Sequence, residues 1–200
     1  MRSERVTTSR RNAAQWRAAL CVSLLAAGLG CQSPRVAQPL TQSLPDDPVA
    51  AQLEFWHGLE NRPVTCNDEA FHGLLLLIDG KDDRTSYDQR VSDLKSRQLL
   101  WKKFDRPADE AVQRGIVAVA LVRALKIHGG WALSLMGPTP RYATRELIYR
   151  NLYPMSSPDQ TFSGAEFVGI MAKAEDYMRE HGADLSAPAA TAATEPVAAK

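Results

Sequence analysis

Three residues near the start of one helical stretch could do chemistry: Cys66, Asp68 and His72. Asp68 and His72 are four apart, so a helix puts both on one face. A carboxylate that orients an imidazole is a common device in general-base catalysis and around metals. Cys66 lies at the expected helix start, where a thiolate is favoured. Together the three spell a Cys–His–Asp nucleophile, the constellation of a hydrolase. Each also has a structural reading, because Asp68 can complete a Thr65-x-x-Asp68 capping box and a lone body cysteine is most often a buried apolar residue. We therefore assign no catalytic residue. The four histidines, His57, His72, His128 and His181, show no HxxxH or HExxH spacing, and neither a metal nor another cofactor is expected. Gly129-Gly130 and Ser163-Gly164 lack both a preceding strand and a GK[ST] ending, so they read as helix boundaries and not as phosphate loops.

A second stretch carries recognition chemistry. Pro140 to Pro154, PRYATRELIYRNLYP, interleaves Arg141, Arg145 and Arg150 with Tyr142, Tyr149 and Tyr153. Forked guanidinium hydrogen bonds and ring stacking suit an anionic or glycan partner. Arg141, Tyr142, Arg145, Tyr149 and Arg150 form the candidate interaction surface. The competing expectation is tyrosines in the core and arginines in water.

The elements that position these residues read as helices. Asp47-Pro48 supplies an N-cap and an N1 proline, with Val49, Leu53 and Trp56 on one face before Pro63 stops the helix. Phe71, Leu74, Leu75 and Ile78 follow at i, i+3, i+4 and i+7, and with Leu76 and Leu77 they make a helix apolar nearly all round. Asp79-Gly80 ends it. Thr85-x-x-Asp88 opens a third helix, with Leu99 to Trp101 near its end. A fourth is expected from Pro107 to about Ile127, and a short helical piece over 131–136. A further helix runs from about Arg141 to before Pro154, and Ser163-x-x-Glu166 caps the last, which Gly182 closes. No segment alternates with a period of two. The expected fold is all-α: a single compact bundle of about six or seven helices packed around residues 67–78 and 112–127. Residues 48–182 would form the domain, with a polar, proline-containing tether over 31–47 and a disordered alanine-rich tail over 183–200.

The N-terminus decides where this domain lives. Arg2, Arg5, Arg10, Arg11 and Arg17 precede the uncharged run Ala18 to Gly30, which is too short to span a bilayer. A basic region, a short apolar region and small residues at its end describe an export signal over residues 1–30. Ala27-Gly28-Leu29-Gly30-Cys31 resembles the lipobox of bacterial lipoprotein precursors, although Gly28 stands where that family prefers Leu. The resemblance implies that the Cys31 thiol is acylated and becomes the first residue. Gln32 in place of Asp then implies the outer membrane over the inner one, facing the periplasm. Removing residues 1–30 takes five of 24 basic and one of 23 acidic residues, leaving 19 against 22 and a formal charge of −3. No net-positive domain remains to bind nucleic acid. The mature chain keeps Cys31 and Cys66, so CxxC redox and zinc-ribbon chemistry are absent from it.

KIHGGW, RYATRELIYRNLYP and SSPDQTFSGAEFVGIM together resemble a family of small exported helical bacterial proteins, over about residues 49–180. That resemblance brings no activity and no catalytic residue. The expected function is a lipid-anchored envelope protein with a structural or interaction role, bound to the membrane through its lipid and to another envelope protein or a glycan. The alternatives are a periplasmic hydrolase using Cys66, His72 and Asp68, or a small-ligand carrier with a cavity between helices.

Overall fold

The computed structural model describes residues 33–129, 135 and 137–186. Residues 1–32, with the expected export signal and Cys31, most of the short piece at 131–136 and the residues from 187 lie outside the described residues. From Pro34 onward they form one helical unit. Among the described residues six α-helices are delimited: α1 Pro48–Glu60, α2 Asn67–Asp79, α3 Tyr87–Ser96, α4 Arg114–Ala124, α5 Pro140–Tyr149 and α6 Gly164–Ser186. Among the described residues β-structure is limited to three isolated bridges, so the fold is all-α.

The expected helix starts hold to within a residue or two where a side chain caps them. Asp47 Oδ2 accepts from the Ala50 amide at 2.7 Å, and Pro48 takes the first helical position. Ser163 and Glu166 form a full capping box: the Ser163 amide donates to Glu166 Oε2 at 3.0 Å and the Glu166 amide donates to Ser163 Oγ at 3.3 Å. Two caps sit one residue later than expected. Cys66, not Thr65, precedes α2, with its amide donating to Glu69 Oε2 at 3.0 Å. Ser86, not Thr85, caps α3, while Thr85 donates to the Gln89 side chain.

Three boundaries differ from the sequence reading, the end of α3, the start of α4 and the end of α6. α3 ends at Ser96, and Leu99 to Trp101 follow a left-handed Gln98 (φ 60°) with the Leu99 and Leu100 amides both turned onto the Leu94 carbonyl. α4 begins at Arg114 and not at Pro107. Residues 107–110 make a single turn, and 110–113 do not continue it as helix because tertiary partners claim their backbone: the Asn67 amide donates to Glu110, Ala111 to Pro34 and Val112 to Thr65. α5 ends at Tyr149, before Pro154 as expected, and left-handed Asn151 (φ 59°) follows it. α6 runs through Gly182 to Ser186.

α2 lies at the centre and packs on α3, α4 and α6; α4 pairs with α5, and α1 with α6. Phe71, Leu74, Leu75, Ile116, Leu121, Leu147 and Phe167 are all buried in one core. α1 is turned differently from expectation. Its buried residues are Phe55 and Leu59, whereas Val49 and Leu53 are 76 % and 58 % exposed. Two i,i+4 patterns compete on this short helix, and the one carrying the larger buried surface, with a fully buried phenylalanine, faces in.

The stretch expected to be a free tether is docked along much of its length. The Val36 amide donates to Asp109, Arg62 reaches the Gln38 carbonyl at 2.8 Å, and the Leu40 amide donates to Glu69 Oε1 at 3.1 Å. Leu40–Gln42 forms one 3-10 turn, and Leu40 packs against the small face that Gly58 leaves on α1. Satisfied backbone groups and a buried Val36 explain why a polar, proline-containing segment lies down here.

Candidate functional site

The first two turns of α2 carry Asn67, Asp68, Glu69 and His72, and all four are buried. Buried charge must be paired, and the chain supplies the partners from other elements. Asp68 accepts from Arg90 Nη1 at 2.7 Å through Oδ1 and from the Thr41 hydroxyl through Oδ2. Asp82, in the loop after α2, accepts from His72 Nδ1 at 2.6 Å and Arg90 Nε at 2.5 Å on one oxygen, and from the Arg84 amide at 3.1 Å on the other. Arg84 and Arg97 extend the cluster to Asp79 and Asp93. Three guanidiniums therefore face four aspartates, with His72 beside them.

The electrostatics follow from this wiring. Burial works to raise the Asp82 pKa, but the hydrogen bonds from His72 and Arg90, with the Arg90 charge and the Arg84 amide, outweigh it and hold the carboxyl below its ordinary value. Asp82 therefore stays an acceptor for the N–H at His72 Nδ1. The Arg97 hydrogen bond, against partial burial, likewise lowers Asp79. Groups depressed on folding contribute stability above their unfolded pKa and lose it as pH falls through the folded value. The melting midpoint should thus hold from neutrality down to about pH 5 and fall steadily below about pH 4. An unchanged midpoint at pH 3 would refute the cluster's charge state.

The Cys–His–Asp constellation that the sequence offered as an alternative is not assembled. His72 is oriented by Asp82 and not by Asp68, which is spent on Arg90 and Thr41. Cys66 is fully buried. Its thiol is pushed far up, first by burial and then by the Glu69 charge, with Asp68 adding to it. These effects overwhelm the helix N-terminus that was expected to favour a thiolate. No hydrogen bond joins any two of the three among the described residues. Sequence reasoning did not name Asp82, Arg84 or Arg90. The signal was the charge run Asp79 to Arg84 directly after an apolar helix, but nothing in it told which charges fold inward. Among the described residues no group of His, Cys, Asp and Glu is arranged to hold a metal ion.

The arginine–tyrosine stretch divides in two. Arg141 and Arg145 are exposed and Tyr149 is 83 % exposed. At i, i+4 and i+8 they line one face of α5, and the two arginines make no ion pair among the described residues. Arg150 instead spans inward, donating to Glu146 at 2.8 Å, the Tyr177 hydroxyl at 3.2 Å and the His128 carbonyl at 3.1 Å. Tyr142 is half-buried against the core, and Tyr153 is buried with its hydroxyl donating to the Arg114 carbonyl at 3.3 Å. Reversing Arg141 and Arg145 together to Glu should change unfolding free energy by no more than about 1 kcal/mol, as exposed changes do. Arg150→Ala should cost about 1–3 kcal/mol through its lost bonds. Equal losses in the two variants, read by urea unfolding, would contradict this division.

A half-open cavity of about 410 Å³ lies between α1, α2 and α6, walled by Trp56, Leu76, Leu77, Val168 and Met171, with Gln52 and Glu175 also lining it. No family model matches the chain, and no curated protein or solved structure matches it. No described helix is long and apolar enough to cross a membrane.

Proposed function

We propose that this chain is an exported, lipid-anchored envelope protein whose helical domain acts by binding and not by catalysis. One observation carries the binding half: Cys66, Asp68 and His72 are buried, with Asp68 held by Arg90 and Thr41 and His72 by Asp82, while Arg141, Arg145 and Tyr149 of α5 stand in a line facing solvent. The export half rests on the basic segment, the apolar run and the lipobox-like Ala27 to Cys31. Acylation of Cys31 would tie the domain to the membrane, with the outer membrane favoured by Gln32 and the α5 face turned to an anionic glycan or a protein surface in the periplasm. The docked segment from Val36 supports a body held close to its anchor.

The test is a Cys31→Ser variant followed by cell fractionation. The wild-type chain is expected with the membranes and is released from them by detergent alone. The variant, which offers no thiol to acylate, should lose the mature, detergent-extractable form. Finding the wild-type protein in the soluble fraction would overturn the anchor.

A further inference from the structure

The cavity of about 410 Å³ between α1, α2 and α6 has the size of a small-molecule site. The three helices meet tightly at one end of it. The end of α1 abuts the start of α6, where the Gly164 amide donates to the Arg62 carbonyl at 2.9 Å, so these two helices run antiparallel. α2 joins them at Gly73, where an added Cβ would lie 3.1 Å from Trp56 and 2.9 Å from Phe167. Counted from this junction, Gln52 on α1, Gly80 on α2 and Glu175 on α6 all lie toward the other end, where the lining turns polar. Trp56 is the aromatic wall. Its ring lies over the bare backbone at Gly73 and meets Phe55 edge-on at 4.9 Å, which fixes it in place.

Among the described residues Glu175 is the one charged side chain in the lining, and its carboxylate makes neither an ion pair nor a hydrogen bond there. The Gln52 amide and the Trp56 indole N–H are likewise uncommitted. The two cations adjoining this end each have an aspartate of their own. Arg179, one turn beyond Glu175 on the same side of α6, pairs with Asp176, and Lys81, next to Gly80, pairs with Asp83. Leu77 and Gly80 bring the last turn of α2 to the cavity, and the carbonyl end of a helix carries partial negative charge. An indole wall, a free carboxylate and a helix C-terminus at one apolar hollow all favour a positive ligand. A carboxylate or phosphate would meet repulsion from Glu175 and from α2. We propose that this cavity binds a small organic ammonium ion, with its apolar body against Trp56, Leu77 and Met171 and its ammonium group at Glu175. This site goes beyond the proposed function, since it rests on neither the α5 face nor the Cys31 anchor.

Calorimetric titration of the purified full chain in nonionic detergent tests it, with the heat of titrating detergent alone subtracted. The probes are phenylethylammonium, phenylethanol and phenylpropionate, which share an apolar body and differ in charge. The ammonium should bind with a Kd of about 1 mM or tighter, the scale that a ligand of this size reaches in a well-formed site. The alcohol should bind more weakly, and the carboxylate at least tenfold more weakly than the ammonium. Glu175→Gln should weaken the ammonium about tenfold and leave the alcohol unchanged, since only a charged contact is lost. Glu180→Gln, the same charge change on α6 but outside the lining, should alter nothing. Ala172→Trp, which fills the hollow from an exposed position, should abolish binding of all three. Melting midpoints close to wild type establish that the variants are folded. No ammonium binding up to about 10 mM, a carboxylate that binds as tightly as the ammonium, or a Glu175→Gln chain that keeps the full preference for the ammonium would each overturn the proposal. None of these results bears on the Cys31 anchor or on Arg141 and Arg145, and loss of either of those readings would leave this site unchanged.

Discussion

Arg90→Ala should lower the free energy of unfolding by about 3–5 kcal/mol, the scale of breaking a buried ion pair by removing one partner. Arg90 is 5 % exposed and joins Asp68 on α2 to Asp82 in the following loop. Without it, two buried carboxylates lose their guanidinium while His72 and Arg84 still hold one of them. The effect should reach the N-terminal segment, because Asp68 binds Thr41 through its other oxygen. Urea unfolding measures the loss, and limited proteolysis should show cleavage between Pro34 and Ser43 rising in the variant. A change under about 1 kcal/mol, typical of an exposed pair, would mean that the cluster does not hold the α2–α3 region together.

Gly164→Ala should be as damaging, for a steric reason. Gly164 opens α6, its amide donates to the Arg62 carbonyl at 2.9 Å, and a Cβ there would run into the carbonyl of Leu59 at the end of α1. Both sides of the clash are backbone, and Phe167 and Leu59 are fully buried on either side of it. Relief requires α1 and α6 to separate, so a loss of about 3 kcal/mol or more is expected, at the upper end of overpacking costs. Gly169, in the same helix, is the control. A Cβ there meets nothing within 4 Å, and Ala should stabilise by about 0.5–1 kcal/mol through helix propensity. Thermal melts of the two variants should therefore move in opposite directions. Similar midpoints would refute the close approach of α1 and α6.

Much of the fold was legible because its signals are local. Asp47-Pro48, Gly80 and the Ser163–Glu166 box mark helix ends through contacts within four residues. The all-round apolar face of α2 marked the centre. What stayed hidden depends on distant partners. Residues 110–113 have no strong local preference, and Pro34, Thr65 and Asn67 take the backbone bonds of 110–112 in place of a continued helix. The rotation of α1 turned on Phe55 outcompeting a stripe of equal period, which a pattern of apolar positions cannot rank. The candidate site was half legible: Asp68 and His72 stood out, but His72 took Asp82, ten residues on, over Asp68 on its own helix. Arg141, Arg145 and Tyr149 were readable as a face, whereas the inward turn of Arg150 required Tyr177 and the His128 carbonyl, which only the fold brings near.

The central claim is that Cys31 becomes a lipidated N-terminus holding a binding domain at the membrane. Intact-mass spectrometry of the protein purified from membranes tests it most directly. The account predicts a chain that begins at Cys31, lacking residues 1–30 and carrying the added mass of a diacylglyceryl group on that residue. An unmodified Cys31, or a mature chain that begins anywhere else, would contradict it.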